Sequence, residues 1–355
     1  MNTRKLYHWL KQVTRQWKGL TRHQQENIQR FSRAVVCTES CHERKLAGSV
    51  GGNPNSQRRR LQRFLGSKLV MKDFFRQWAR AVVTSFGLRR LTLVVDETKL
   101  DDRMGVMVVG AVYEGRCIPL AWRSYVLYEA KAYPAEGQSR LIIRLLNSIR
   151  QGLPQGCAVR VLADRGIGTS PLLMRGIAAM GWTFLFRVTK QSKITLSDGS
   201  EFTFYDQTRQ PGEQWAASGR VFKRRGHIPA HVRVLWGEDA LEPWALVTND
   251  PTLSGWEYAQ RMWIEHAFRD LKSHGWQWGR SGLTCPMRVE RLLILLVLAY
   301  TWMLTWGLAV VQARCNCPTK RRADGTHVRR LSLFREGLLA FKAALVLPCY
   351  STVAP

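Results

Sequence analysis

At 355 residues the chain is long enough for one large core plus a small accessory domain. Its 54 Lys and Arg against 26 Asp and Glu leave a formal charge of +28. That balance speaks against an enzyme of small metabolites and for a polyanionic partner, nucleic acid first and an acidic membrane surface second.

Residues 1–88 read as helices, broken by a loop at Gly48–Ser56. Residues 1–90 hold 20 Lys/Arg against 4 Asp/Glu, so +16 of the charge lies in the first quarter of the chain. The basic residues alternate with aromatic and apolar ones at helical spacing. This pattern predicts a folded module with a basic face rather than a disordered arm.

Strands are expected at about 91–96, 104–113 and 116–125, joined by turns around Asp101-Asp102 and Glu114-Gly115. A helix at about 137–151 leads to a strand ending at Asp164, and another near 170–180 precedes a strand at Trp182–Thr189. Residues 193–250 hold turn-punctuated strands that predict an antiparallel appendage. Three meander strands followed by α/β alternation fit a ribonuclease-H-like mixed sheet flanked by helices, although periodicity alone leaves other α/β folds open.

Two acidic residues end apolar, β-branched runs: Asp96 in LTLVVDET and Asp164 in VRVLADRG. Such runs suit strands buried on both faces, whose carboxyl ends are where α/β sheets collect ligands. Further on, Ser254-x-x-Glu257 has capping-box spacing and opens the run Tyr258-x2-Arg261-x3-Glu265-x6-Lys272. In an α-helix these four residues share one stripe about 60° wide, because their offsets fall near 0°, −60°, −20° and −40°. A carboxylate between two cations on one face suits a metal ion beside a phosphodiester, and a solvated charged face is the plainer alternative. Three converging carboxylates repel one another without a divalent cation, and hard oxygen ligands favour Mg²⁺ or Mn²⁺.

These residues resemble the DDE transposases of bacterial insertion sequences, in the family-four group that carries a Tyr-Arg-Glu-Lys signature. The resemblance rests on Tyr258, Arg261, Glu265 and Lys272, on Asp96-Glu97-Thr98 and on Asp164-Arg165-Gly166. It covers roughly residues 90–312, with a weaker echo in NSQRRRLQRFL upstream. It implies a helical DNA-binding domain at 1–88, a ribonuclease-H-like catalytic domain at 89–313 with a β-rich insertion at about 190–250, and a basic tail region at 314–355.

The implied reaction is DNA cleavage at element ends and strand transfer into target DNA, with two magnesium ions (manganese can substitute). Asp96, Asp164 and Glu265 would be catalytic and hold the metals, while Tyr258, Arg261 and Lys272 would bind DNA phosphates. The implied partners are the double-stranded DNA of the terminal inverted repeats and of the target, met as a homodimer and without a membrane. The implied location is the bacterial cytoplasm, with the protein nucleoid-associated when bound to DNA. Some relatives hold a flipped base on a tryptophan; Trp215, Trp236 and Trp244 lie in the insertion, and the resemblance does not single out one. A ribonuclease-H-like nuclease or a catalytically silent DNA-binding relative remains the alternative.

Two features invite other readings. Cys37-x3-Cys41-His42 and Cys315-x-Cys317 lack a second ligand pair at finger-like spacing, so zinc is not expected. Leu292–Val311 is apolar and long enough to span a bilayer, but a helix apolar all round also suits the core of a large domain, and the resemblance implies a buried helix here.

Overall fold

The computed structural model describes residues 2–127, 129, 133–222, 227–313, 319–321 and 327–346. Of the expected tail at 314–355, residues 314–318, 322–326 and 347–355, with Cys315 and Cys317 among them, lie outside the described residues.

Five helices come first: α1 (Asn2–Arg15), α2 (Arg22–Thr38), α3 (Glu43–Gly48), α4 (Pro54–Leu65) and α5 (Met71–Ser85). Their starts follow from local chemistry. Thr21 and Gln24 close a reciprocal capping box on α2, and the Asn53 side chain caps α4 ahead of Pro54 in its first turn. A meander follows, of β1 (Arg90–Leu100), β2 (Met104–Tyr113) and β3 (Arg116–Val126). Its second turn places Glu114 and Gly115 at φ 46° and 79°, the left-handed pair that suits a two-residue hairpin.

The α/β part comprises α6 (Gly137–Arg150), β4 (Ala158–Ala163), α7 (Arg165–Gly168), α8 (Pro171–Ala179) and β5 (Thr183–Arg187). Then come β6 (Lys193–Thr195), β7 (Glu201–Thr203), β8 (Gln214–Val221), β9 (Ile228–Leu235) and β10 (Trp244–Thr248). A 3₁₀ turn at Trp256–Arg261 runs into α9 (Met262–Leu271), and the chain continues through α10 (Pro286–Ala313), β11 (Thr319–Arg321), β12 (His327–Arg329) and α11 (Leu333–Val346).

The chain divides into two compact units, one of residues 75–266 and one of residues 1–74 with 267–355. The first holds a single sheet in the order β3-β2-β1-β4-β5-β10-β9-β8-β6-β7. β2 runs antiparallel to both β1 and β3, whereas β1, β4 and β5 are mutually parallel. A meander joined at its inner strand to parallel β4 and β5 is the ribonuclease-H-like arrangement. Both faces of these strands are apolar, and Leu93, Val94, Val95, Val161, Leu162 and Ala163 are fully buried. The β-rich insertion is antiparallel as its turns predicted, but it is no separate appendage. β10 pairs with β5 and β9–β6 continue the same sheet outward.

The second unit is helical, and α10 is its centre. Every residue from Val289 to Leu304 is buried, so a helix apolar enough to cross a membrane is here enclosed by the protein's own side chains. α2, α4 and α11 pack on it. At the α10–α11 crossing, Gly307 and Gly337 let the backbones touch: a Cβ at Gly307 would overlap the Leu333 carbonyl oxygen, and one at Gly337 the Met303 carbonyl oxygen.

Candidate active site

Strand register builds the site's floor. The parallel pairing of β1 with β4 ends at Val95 opposite Ala163, so Asp96 and Asp164 are the next residues on two adjacent strands. Asp96 does not end its strand as expected, because β1 stays paired with β2 from Asp96–Val108 to Leu100–Met104 after β4 has stopped. The Asp96 carboxylate accepts the Glu97 backbone N–H at 2.8 Å. The Asp164 side chain accepts the Ile167 N–H at 3.0 Å and so caps the turn of α7.

The signature segment is not one α-helix. Tyr258 and Arg261 lie in the 3₁₀ turn, Glu265 lies in the first turn of α9, and Lys272 falls just past its end. A 3₁₀ turn advances 120° per residue and an α-helix 100°, so Tyr258 and Arg261 eclipse each other where an α-helix would set them 60° apart. The Glu257 carboxylate accepts the Ser254 hydroxyl at 3.0 Å and the Gly255 N–H at 2.9 Å, which fixes the entry to this turn. Tyr258 is 5% exposed and packs edge-on against Trp244 at 5.2 Å between centroids. Trp244 also lies beside Trp256, whereas Trp215 lies beside Phe202 and Trp236 bonds to Ala240.

Arg261 joins the acidic residues. One guanidinium nitrogen donates to Asp96 at 3.0 Å and lies 3.7 Å from Asp164, and the other donates to Glu265. Three carboxylates separated by up to 169 positions in the sequence thus meet at one cation. Burial pushes the Asp96 carboxyl up to about 6; Arg261 opposes that rise, and Asp164 and Glu265 add to it. Burial likewise works against the Arg261 charge, but Asp96, Tyr258, Glu265 and Asp164 hold it above its ordinary value. The Arg261 Nε atom is buried with no hydrogen-bond partner. Tyr258 is raised by burial, and the cations Arg261 and Arg187 pull it back.

The structure therefore brings Asp96, Asp164, Glu265, Arg261 and Tyr258 together. Lys272 belongs to the helical unit.

The sequence did not reveal a second charge cluster in the same unit. Glu242, ahead of β10, accepts from Lys190 at 2.8 Å and from the Tyr205 hydroxyl at 3.0 Å, pairs with Arg187 and lies 3.8 Å from Arg165. Lys190 first, then Tyr205 and Arg187, hold its carboxyl down at about 2. Only Arg165, in the Asp164-Arg165-Gly166 run, carried a local signal; its partners come from distant strands.

Among solved structures, the crystal structure of human ENDOV aligns at 17% identity over 61% of this chain and 86% of that one, with a TM-score of 0.26. No curated protein matches the chain. Residues 130–302 match the family model described as Transposase DDE domain, a stretch that holds Asp164, Tyr258, Arg261, Glu265 and Lys272.

Proposed function

We propose that the chain cleaves DNA strands at the ends of a mobile element and joins them to target DNA, as a member of the family-four group. Asp96, Asp164 and Glu265 are the catalytic carboxylates in this reading. The observation that carries it is the meeting of these three, from two neighbouring strand ends and one helix, at Arg261. The match over residues 130–302 supports it.

The donor set fits a hard divalent cation. All the candidate ligands are carboxylate oxygens, and burial works against the Asp96 charge, so positive charge beside it favours its ionised form. Among the described residues no group of three His, Cys, Asp or Glu side chains closes on a single point, and the three carboxylates pair with Arg261 instead. Two Mg²⁺ ions, or Mn²⁺, would supply activation of water or a DNA 3′-hydroxyl and charge for the leaving oxygen. Asp96, Asp164 and Glu265 would be the residues that hold them. Released from the carboxylates, Arg261 has a planar two-nitrogen face free for a phosphate of the scissile strand. Tyr258, buried against Trp244, anchors the turn that presents Arg261. Lys272 enters as a phosphate ligand on its spacing alone.

The partners in this reading are inverted-repeat and target duplexes, bridged by two copies of the chain in the cytoplasm. By role, residues 1–88 serve DNA binding, 89–313 catalysis with the insertion at about 190–250, and 314–355 form a basic tail.

The test is strand cleavage and joining of duplexes bearing the repeats that flank the reading frame, in Mg²⁺. Asp96→Ala, Asp164→Ala and Glu265→Ala should each abolish cleavage while DNA binding persists. Cleavage without joining would point to a nuclease instead, and near wild-type cleavage by Glu265→Ala would remove the site assignment.

A further inference from the structure

α4 carries four arginines, and the structure treats them in two ways. Arg58 lies 3.5 Å from Glu43, and Arg60 bonds to Glu26 at 3.1 Å and Asn27 at 2.6 Å. Arg59 and Arg63, both exposed and one turn apart on the same face, meet no carboxylate among the described residues. Arg288, half-buried in the first turn of α10, is a third cation that meets no carboxylate among the described residues, and its guanidinium lies over Gly66 at the end of α4. Together with Ser56 and Gln62 these residues line a cleft of about 730 Å³. Arg63 also borders a neighbouring hollow of about 520 Å³ that reaches Thr21, His23 and Asn27.

Like charges with no ion pair of their own repel one another, and a fold that spends Glu43 on Arg58 and Glu26 on Arg60 leaves these three unpaired among the described residues. An anion of matching extent would relieve that repulsion. The uncompensated charge lies along the first cleft, because Glu26 lines the neighbouring hollow and pairs with Arg60. Three guanidinium groups around about 730 Å³ offer separate contacts to successive phosphates, more than a single phosphate needs. Hydroxyl and amide groups beside the guanidinium forks suit phosphate oxygens.

We propose that this cleft, built from α4 and the first turn of α10, is a docking surface for the phosphate backbone of duplex DNA. The proposal rests on the reading of the chain as a DNA-processing transposase and names where in the helical unit the duplex is held. Neither segment completes the cleft alone: α4 supplies Arg59 and Arg63, and α10 supplies Arg288 from more than 220 positions downstream.

The experiment uses the full chain and a short mixed-sequence duplex, with affinity followed as salt is raised. Replacing Arg59, Arg63 and Arg288 together by Ala should weaken binding about 10²-fold near 0.1 M salt and reduce the slope of log K against log salt by about 2.7. Arg335→Ala, an exposed change on α11, should leave the affinity within about twofold, as one rim charge in many. Arg63→Glu alone should weaken binding more than Arg335→Glu does. Wild-type affinity and slope in the triple variant would overturn the cleft and leave the transposase reading standing. Failure of the unsubstituted chain to bind any duplex at low salt would overturn both.

Discussion

Asp96 is held where its charge is unwelcome, in a strand with apolar neighbours on both faces, and Arg261, with the Glu97 backbone N–H, supports its ionised form. Its carboxyl stands at about 6, above the ordinary 3.8. The folded chain therefore binds more protons than the unfolded one between those values, and stability must fall as pH rises through that window. The favourable contribution is complete below about 3.8 and gone above about 6; with one pKa unit worth about 1.4 kcal/mol, it amounts to at most about 3 kcal/mol. In metal-free buffer, Asp96→Asn should remove this part of the pH dependence. Its advantage over the parent chain should grow from pH 4 to pH 6 in thermal unfolding. Parallel stability curves for the two proteins would show that Asp96 is not burdened in this way. The carboxylates were legible in the sequence because each ends an apolar run or sits at a fixed spacing. The role of Arg261 as their common partner was not, since nothing local says which of two cations on a helix face reaches across to a strand 165 positions earlier.

At the scale of elements, the sequence was readable wherever one residue or one period decides. The Glu114-Gly115 turn, the α6 helix and the strand leading to Asp164 are set by positive φ, apolar period and β-branching, and all three stand where expected. The insertion's place in the sheet was not readable, because pairing of β10 with the edge of β5 joins residues some 60 positions apart. The α10–α11 crossing was hidden for a similar reason: Gly307 and Gly337 look like helix weaknesses until the backbones are seen to touch. Each is helical with no room for a methyl group, so Gly307→Ala or Gly337→Ala must push the two helices apart. A loss of about 1–3 kcal/mol is expected, measured by denaturant unfolding. An unchanged or raised midpoint in both variants would mean that the helices do not meet at these glycines.

At the scale of the whole molecule, the expected helical domain at 1–88 is only part of what the chain assembles. Residues 1–74 form one compact unit with residues 267–355. Trp9 lies against Trp302, and α2 and α4 pack on α10. Charge and helical spacing in the first quarter reveal amphipathic helices, but not which distant segment covers their apolar faces. A fragment of residues 1–88 should accordingly lack a cooperative thermal transition, with circular dichroism showing partial helix and gradual melting. A sharp transition in that fragment would show that α1–α5 bury their faces without α10.

The way both ends of the chain share one unit also sets a timetable. On a ribosome adding roughly 5–20 residues per second, about 10–40 s separate the end of α4 from the start of α10. For that interval α2 and α4, whose Ile28, Phe31 and Leu61 are fully buried in the finished protein, have no α10 to pack on. The strands that seat Asp96 and Asp164, and the helix with Glu265, are synthesised before Arg288 is added. A nascent or prematurely ended chain can therefore own its acidic centre while its basic cleft is still incomplete, so the surface proposed to dock DNA is completed last.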